Sequence, residues 1–175
     1  PLVLAAAFEK GLSPETIYAA PSQWASPGCV GQSCFISNYS NSGYGDMSLR
    51  TAMHKSVNTV FAQLVIDVGI EDTVKLGQAL GLERLDPEAG YGASFALGAA
   101  ETSSLEMASA YGTFSNSGMY LEPTGILKVI DQDGNVLIDN RVRSGKKVLS
   151  ATTADNVTDV LTGVISGGTG ANANI

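Results

Sequence analysis

Residues 48–69, SLRTAMHKSVNTVFAQLVIDVG, contain two apolar stripes at helical spacing with a short polar segment between them. Apolar residues that recur every three or four positions are typical of an amphipathic helix. The segment 56–59, Ser-Val-Asn-Thr, interrupts this pattern. Ser and Asn are poor helix-interior residues but good N-caps, because their side chains bond backbone amides. We therefore predict one helix that begins near Ser48 and ends near Lys55, followed by a second helix that is capped by Asn58.

The segment before these helices, from Ala20 to Asp46, is rich in Ser, Gly, Asn and aromatic residues and lacks a helical period. We interpret it as a long ordered loop in which short strands can occur, since structureless loops of this length are uncommon in compact domains. It contains both cysteines of the chain, Cys29 and Cys34. These are either free thiols or a short-loop disulfide. The disulfide, which we favour, indicates an oxidising, extracytoplasmic compartment.

His54 is the only histidine, and it lies two residues before Ser56. A metal site needs about four ligands, which two cysteines and one distant histidine do not supply, so we predict no metal and no cofactor. Residues two apart do not face each other on a helix, so His54 is a poor partner for Ser56 in a catalytic triad. We interpret His54 as a helix-surface residue.

Apolar periods that end at glycines predict further helices, at 2–10, 72–80, 102–118 and 152–165. Thr102 is the predicted cap of the third. Tyr111 is expected to be a core aromatic on that helix, so that its replacement by Ala would destabilise the protein by about 3–5 kcal/mol. Residues 124–139 alternate apolar and polar side chains around an Asp-Gly pair, which indicates a hairpin. We interpret 90–98 as a glycine-spaced connection.

Composition and charge limit the classes of function. The chain has 175 residues, of which 44% are hydrophobic and 15% charged, so it can form a domain with a hydrophobic core and is unlike a disordered tail. Its net charge of −7 argues against nucleic acid as a partner. We interpret the basic cluster from Arg141 to Lys147 as a solvated loop. The sequence has no run of about 20 apolar residues, the length of a membrane-spanning helix.

Three blocks of sequence form a pattern that no single block would establish. They are an Asn-Tyr loop with the helix pair after it, a glycine-bounded helix with its flanks, and a Gly-Thr-Gly turn, at 38–45 with 48–61, 97–123 and 168–170. A Ser-x-Asn triplet alone occurs by chance in about half of the chains of this length. In their order and spacing, the blocks closely resemble the transpeptidase domain of class A penicillin-binding proteins.

The resemblance implies an α+β fold of the penicillin-binding and β-lactamase-like serine transferase type, in which an antiparallel sheet packs against helices. Residues 1–175 would be part of a single transpeptidase domain, truncated at both ends, and would supply most of its helical subdomain plus a hairpin. The complete protein would act at the extracytoplasmic face of the bacterial cell membrane, with an anchor outside this chain. A class A member would also carry a glycosyltransferase domain.

The resemblance also implies the chemistry of the site. Enzymes of this kind place a Ser-x-x-Lys nucleophile, a Ser-x-Asn pair and a Lys-Thr-Gly strand around one cleft. The nucleophile attacks the carbonyl between the terminal D-alanines of a peptidoglycan stem peptide, and an amine from a neighbouring strand then releases the acyl-enzyme as a cross-link. Ser56 would relay a proton to the leaving amine. Asn58 would bind the substrate backbone and the neighbouring lysine. β-Lactam antibiotics would bind as mimics of the terminal dipeptide.

Two of these three catalytic elements are missing from the chain. No Ser-x-x-Lys occurs at a helix start, and the family has this motif immediately before a segment like the one that begins at Pro1. The chain stops at Ile175, before a Lys-Thr-Gly strand. We therefore expect the remaining transpeptidase segments, which carry the nucleophile and that strand, to be partners of this chain. We expect no acylation by this chain alone.

Other interpretations stay open. A class A β-lactamase would need a Glu-x-x-x-Asn loop after Asn58, and no Glu there has an Asn four residues further on, which disfavours a hydrolase. A catalytically inactive or β-lactam-sensing relative would keep the packing motifs and differ only in the missing ones. A non-catalytic cell-surface module would suit the acidic charge, but it would not explain why Ser56 and Asn58 lie in register with the second block.

Overall fold

The apolar helix α1 (Leu2–Glu9) lies in the core of the fold in the computed structural model, which describes residues 1–31 and 34–173. Its residues from Val3 to Phe8 are all buried, because the helix is apolar on every side and has no polar face to turn towards solvent. The later helices are α2 (Leu49–His54), α3 (Asn58–Val68), α4 (Ile70–Ala79), α5 (Ser104–Ser115) and α6 (Ala151–Ser166). Helix α1 packs against α3, α4 and α6, and α6 in turn packs against α2 and α5.

Two short antiparallel strand pairs lie in and at the ends of the region that was predicted to be a long ordered loop, and irregular segments make up most of its described residues. The pairs are β1 (Ile17–Ala20) with β4 (Gly45–Ser48), and β2 (Gln23–Ala25) with β3 (Phe35–Ser37). Ile17 lies opposite Ser48 in the outer pair, and Trp24 lies opposite Ile36 in the inner pair. The two pairs form one long hairpin, with β1 and β4 at its base and β2 and β3 further out. Strand β4 leads directly into α2.

The hairpin predicted at 124–139 is confirmed. Strands β6 (Lys128–Ile130) and β7 (Val136–Asp139) pair around the Asp-Gly turn, and β5 (Met119–Tyr120) pairs with β8 (Lys146–Lys147). The side chain of Asp131 accepts hydrogen bonds from the backbone amides of Asp133 and Asn135, at 2.9 and 2.8 Å, and so holds the turn closed. In the basic cluster from Arg141 to Lys147, residues 141–144 are exposed, as predicted for a solvated loop, whereas Lys146 and Lys147 form β8.

The helix boundaries read from the sequence are close to those observed. Ser48 caps α2, since its hydroxyl accepts a hydrogen bond from the Thr51 amide at 3.3 Å. The helices predicted at 2–10, 72–80, 102–118 and 152–165 are all present. The glycine-spaced connection at 90–98 contains a 3-10 turn, Ala93–Leu97, that was not predicted. It packs against α3 and buries Phe95. Its apolar pattern is too short to establish a helical period.

Helix α5 is less buried than its sequence suggests. Ala110 and Phe114 are buried, but Tyr111 is 42% exposed, and the expectation that it is a core aromatic was wrong. Its ring contacts Phe114 edge to face, with the ring centroids 5.9 Å apart. Tyr111 and Met107 line an apolar cleft of about 270 Å³ that also exposes parts of α1. A helical period reports which residues share a face, and it cannot report how far that face is covered.

The described part of the chain is therefore a helical body with small antiparallel sheets, which is the α+β class that was predicted. Among the helices of residues 1–31 and 34–173, none combines the length and the apolar character that crossing a membrane requires.

Candidate functional site

The turn between α2 and α3 carries Ser56, the first of the two predicted catalytic residues. Helix α2 ends in a Schellman motif, in which the Ser56 amide donates to the Met53 carbonyl at 3.1 Å and the Val57 amide donates to the Ala52 carbonyl at 3.0 Å. These two bonds close the end of α2 and lead the chain into α3. Val57 and Ala52 are both buried in the core, so their side chains anchor the turn on the core side.

Ser56 occupies the left-handed position of this motif, with φ of 54°. That position is usually taken by glycine, because the Cβ of other residues crowds the following carbonyl oxygen. Here a serine accepts this strain and is exposed. Strain in the backbone often marks a residue whose side chain has a function. The geometry therefore presents a hydroxyl group at a backbone position where glycine would be more stable.

Asn58, the second predicted catalytic residue, is the first residue of α3 and does not cap it. The prediction was wrong by one position, because Val57 has the extended conformation of an N-cap residue and has no side-chain acceptor. The Asn58 side chain is half-buried, and its Nδ2 donates to the Ser37 carbonyl of β3 at 2.9 Å. The structure thus brings Ser56 and Asn58 together on one turn and ties Asn58 to the loop that precedes α2.

Asn38 supplies the missing cap of α3 from that loop. Its Oδ1 accepts a hydrogen bond from the Thr59 amide at 3.0 Å, across 21 residues of sequence. In the sequence, Asn38 stands out only as part of the Asn-Tyr loop, and this contact was not predicted. No local signal could have revealed it, since cap motifs are recognised by spacings of a few residues.

His54 packs against α6, and its interpretation as a surface residue was wrong. The ring is half-buried, and Nε2 lies 3.0 Å from the Val160 carbonyl. The ring fits there because α6 has glycine at 163, where a Cβ atom would lie 2.0 Å from Nε2. A residue four positions before Asn58 is therefore locked against the last helix, so the turn is held from this side as well.

The Gly-Thr-Gly segment at 168–170 lies beside the end of α2. The Thr169 amide donates to the His54 carbonyl at 3.0 Å, and a Cβ atom at Gly168 would lie 2.5 Å from the same oxygen. Two of the sequence blocks that were singled out separately, the Ser-x-Asn turn and the Gly-Thr-Gly segment, are thus neighbours in space. The segment that follows α6 is therefore hydrogen-bonded to His54, two positions before Ser56.

Two tyrosines extend the polar loop next to this turn. Tyr39 is 88% exposed, and Tyr44 lies beside Lys55, whose Nζ is 5.7 Å from the centroid of the Tyr44 ring. This distance permits a cation–π contact. The loop reverses through Ser40 and Asn41, which both have positive φ. An exposed aromatic surface therefore adjoins the turn that carries Ser56.

Cys29 and Cys34 form a disulfide at the far tip of the β2–β3 hairpin, with their Cα atoms 5.5 Å apart. The Ser26 amide donates to the Cys34 carbonyl at 3.0 Å just outside this link. Residues 32 and 33, inside the disulfide loop, lie outside the described residues. Neither cysteine is among the contacts of Ser56 or Asn58 given above.

A family model carries the identification further. The model of the penicillin-binding protein transpeptidase domain matches residues 1–175. The chain belongs to this family. Penicillin-binding protein 1A from Aquifex aeolicus is 32% identical over an alignment that covers 100% of the chain and 23% of that relative. The chain thus spans about a quarter of the length of this relative.

Solved structures of penicillin-binding proteins have the same fold. The D,D-transpeptidase domain of peptidoglycan glycosyltransferase from Eggerthella lenta matches 99% of the chain and 49% of its own, with a TM-score of 0.80 and 25% identity. PonA1 from Mycobacterium tuberculosis, in complex with penicillin V, matches 91% of the chain and 44% of its own, with a TM-score of 0.78 and 25% identity. The resemblance to class A penicillin-binding proteins and the fold inferred from it are confirmed. The catalytic roles of Ser56 and Asn58 remain predictions.

The second block that matches penicillin-binding proteins is organised around the start of α5. Ser103, one residue after the predicted cap Thr102, accepts a hydrogen bond from the Glu106 amide at 3.2 Å, and Glu106 accepts one from the Ser103 amide at 2.6 Å. This reciprocal pair is a capping box. Glu106 is therefore a capping carboxylate, and the prediction of Thr102 as the cap was wrong by one position. None of the contacts of this box involves the turn at Ser56.

Proposed function

We propose that this chain supplies the Ser-x-Asn element of a peptidoglycan D,D-transpeptidase of the serine acyl-enzyme type. In this proposal residues 1–175 are one section of a single transpeptidase domain. Other segments of that domain carry the Ser-x-x-Lys nucleophile and the Lys-Thr-Gly strand, without which the chain does not acylate. The enzyme acts on the outer side of the bacterial cell membrane, where its substrate is found.

The backbone conformation of Ser56 is the observation that carries this proposal. Glycine adopts this left-handed position without steric strain, whereas Ser56 adopts it at a cost in conformational free energy. A need for the hydroxyl group would account for serine at this position. The Ser56 side chain is exposed, and it lies next to Asn58 and near the segment 168–170. In this position other segments of the domain could complete a site around it.

The proposed reaction divides the labour between this chain and the rest of the domain. The nucleophilic serine of another segment attacks the D-Ala–D-Ala carbonyl, and the bond to the terminal D-alanine breaks as the tetrahedral intermediate collapses. The Ser56 hydroxyl passes the proton that the nucleophile lost to the departing amine. Asn58 orients the stem peptide through its amide. An amine from a neighbouring peptide then displaces the serine and forms the cross-link.

β-Lactams are the proposed inhibitors of the same site. The matching structure of PonA1 contains penicillin V, which supports binding of this class of compound by the family fold. In a β-lactam, the strained ring amide takes the place of the D-Ala–D-Ala bond, and the same serine would be acylated. Ser56 would then deliver its proton to the ring nitrogen.

Labelling of the protein with a fluorescent penicillin tests the proposal directly. The readouts are a denaturing gel and the intact mass of each polypeptide. We expect the label on the polypeptide segment that carries the nucleophile, and none on an isolated preparation of residues 1–175. The absence of label from the complete protein would contradict the proposal and would favour an inactive relative. Label on the isolated chain would show that the nucleophile has been assigned to the wrong segment.

Replacement of Asn58 by Ala tests its role in the complete protein. We expect acylation to fall by orders of magnitude, about 10²- to 10³-fold if the amide orients the reacting bond, while folding is nearly intact. Asn140→Ala is a matched control, because Asn140 is also half-buried and donates to a single carbonyl, that of Ile126, at 2.8 Å. The control should acylate at the wild-type rate. Wild-type acylation by Asn58→Ala would refute the assignment of this residue.

A further inference from the structure

The start of α3 is held by Asn38, a residue that has no role in the proposed reaction. Val57 occupies the N-cap position, and its apolar side chain cannot accept a hydrogen bond from the free amides of the first turn. Asn38 takes over that role from the loop through its bond to the Thr59 amide. We infer that Asn38 is a positioning residue, which sets the geometry of Ser56 and Asn58 for acylation by fixing where α3 begins. This inference rests on the proposed function of the turn.

Asn38 can position α3 because it is itself immobile. It is 5% exposed, and its Nδ2 donates to two backbone carbonyls, those of Pro21 and Ser42, both at 2.9 Å. The same side chain therefore gives two hydrogen bonds to the loop and accepts one from the helix. Only an amide group offers two donors and an acceptor at this length, and a buried polar group with all its bonds satisfied is held rigidly.

The contacts next to Asn38 point in the same direction. Ser37 accepts the hydrogen bond from Asn58, and Asn38 accepts the one from Thr59, so two consecutive loop residues hold two consecutive helix residues. The hydroxyl of Thr59 adds a bond to the Pro21 carbonyl at 3.0 Å. Loop and helix are thus joined in register immediately after the strained turn at Ser56.

These bonds between loop and helix act on reactivity because the other contacts of the Ser56 turn, the Schellman bonds and the buried Val57 side chain, tie the turn to α2 and to the core and do not fix the start of α3 relative to the loop. The turn is exposed, and its left-handed conformation is disfavoured for serine, so it persists only while both of its ends are fixed. The α2 end is fixed by the Schellman bonds and by His54 against α6. The α3 end is fixed by Asn38. Release of that end would let the Ser56 hydroxyl and the Asn58 amide move relative to each other without unfolding the domain.

Acylation kinetics of variants in the complete protein test this inference. The rate constant for acylation and the dissociation constant for a fluorescent penicillin are measured separately, at a temperature where circular dichroism shows each variant to be folded. For Asn38→Ala we expect the rate constant to fall by about 10- to 100-fold, since small misplacements of reacting groups have effects of this size. The dissociation constant should change much less. Asn38→Ser keeps one uncharged polar group but cannot make all three bonds, so it should lose activity by a smaller factor than Asn38→Ala.

Ser103→Ala is the matched control for a purely structural effect. Ser103 caps α5 as Asn38 caps α3, but it has no contact with the Ser56 turn among its hydrogen bonds. We expect a lowered melting temperature with a wild-type acylation rate. The inference is overturned if folded Asn38→Ala acylates within about twofold of wild type, or if Ser103→Ala loses as much activity. If Asn38→Ala does not fold, Asn38→Ser decides, and a wild-type rate constant in that variant overturns the inference. Failure of the wild-type protein to acylate would instead refute the proposed function.

Discussion

Helices α3 and α5 begin with caps of different origin. The cap of α5 is local, since Ser103 and Glu106 bond each other's amides within a single turn. The cap of α3 comes from Asn38, in a loop that precedes it by about 20 residues. A local cap stabilises one helix, whereas a distant cap also fixes the helix relative to the segment that supplies it. The Ser-x-Asn turn, the candidate site, lies at the helix whose position is fixed in this second way.

The two helices also differ in how they are covered. Most of α3 is buried, because α1, α4 and the turn at 93–97 pack around it. Helix α5 rests on α6 and leaves Leu105, Met107 and Tyr111 exposed. Helix α3 therefore belongs to the core that supports the site, and α5 belongs to the surface around it.

The same substitution in the two helices provides the strongest test of this difference. Leu64 in α3 is 0% exposed and Leu105 in α5 is 63% exposed. We expect Leu64→Ala to lower the free energy of unfolding by about 2–5 kcal/mol, because it leaves a cavity, and Leu105→Ala to change it by less than about 0.5 kcal/mol. Urea denaturation measures both. Similar losses for the two variants would mean that α5 is as well covered as α3.

The contact between α2 and α6 predicts an effect of intermediate size. Gly163→Ala would place a methyl group against the His54 ring, and we expect a loss of about 1–3 kcal/mol from the overpacking. In a His54→Ala background the methyl group has room, so the same change should be much less harmful. A double-mutant cycle by urea denaturation measures this coupling. Additive losses would show that the ring does not hold the turn against α6.

Ser56→Gly separates the stability of the turn from its chemistry. Glycine relieves the left-handed strain, so we expect the free energy of unfolding to rise by about 1 kcal/mol while acylation falls sharply. Ser56→Ala removes the same hydroxyl and keeps the Cβ atom, so it should lose acylation without the gain in stability. Thermal unfolding and penicillin labelling of both variants are the measurements. A glycine variant that gains no stability would show that the turn is unstrained.

The smallest predicted effect concerns the local cap of α5. The backbone amide of Ser103, followed by its hydroxyl group, lowers the pKa of Glu106, because both interactions favour the carboxylate. The stabilisation by Glu106 is therefore fully present above the ordinary pKa of a glutamate, about 4.3, and is lost as the pH falls through the lowered pKa. We expect Glu106→Gln to be less stable than wild type at pH 7 and equal to it in strong acid. Glu101→Gln, which removes an exposed carboxylate outside the capping box, is the matched control and should leave the melting temperature at pH 7 close to that of wild type.

Much of the fold could be predicted because its signals are local. The start of α2 follows from the hydroxyl group of Ser48, and the β6–β7 turn follows from an Asp-Gly pair between alternating residues. The strand pairs between residues 17 and 48 were missed as ladders, since short strands gain their stability from partners distant in sequence. The burial of Tyr111 was overestimated for a related reason, because coverage of a helix depends on what packs against it.

The candidate site divides in the same way. The sequence by itself determined the family, through the order of three motif blocks, and it identified Ser56 and Asn58 as a pair. The tertiary structure alone decided that Ser56 is strained, that Asn38 caps α3 and that His54 lies against α6 beside the segment 168–170. The physical reason is that each of these features is a contact between residues about 20 to more than 100 positions apart, or a backbone conformation that such contacts impose. The order of the motifs is a property of the sequence, whereas the hydrogen bonds that join Ser37 and Asn38 to the start of α3 form only when the chain folds.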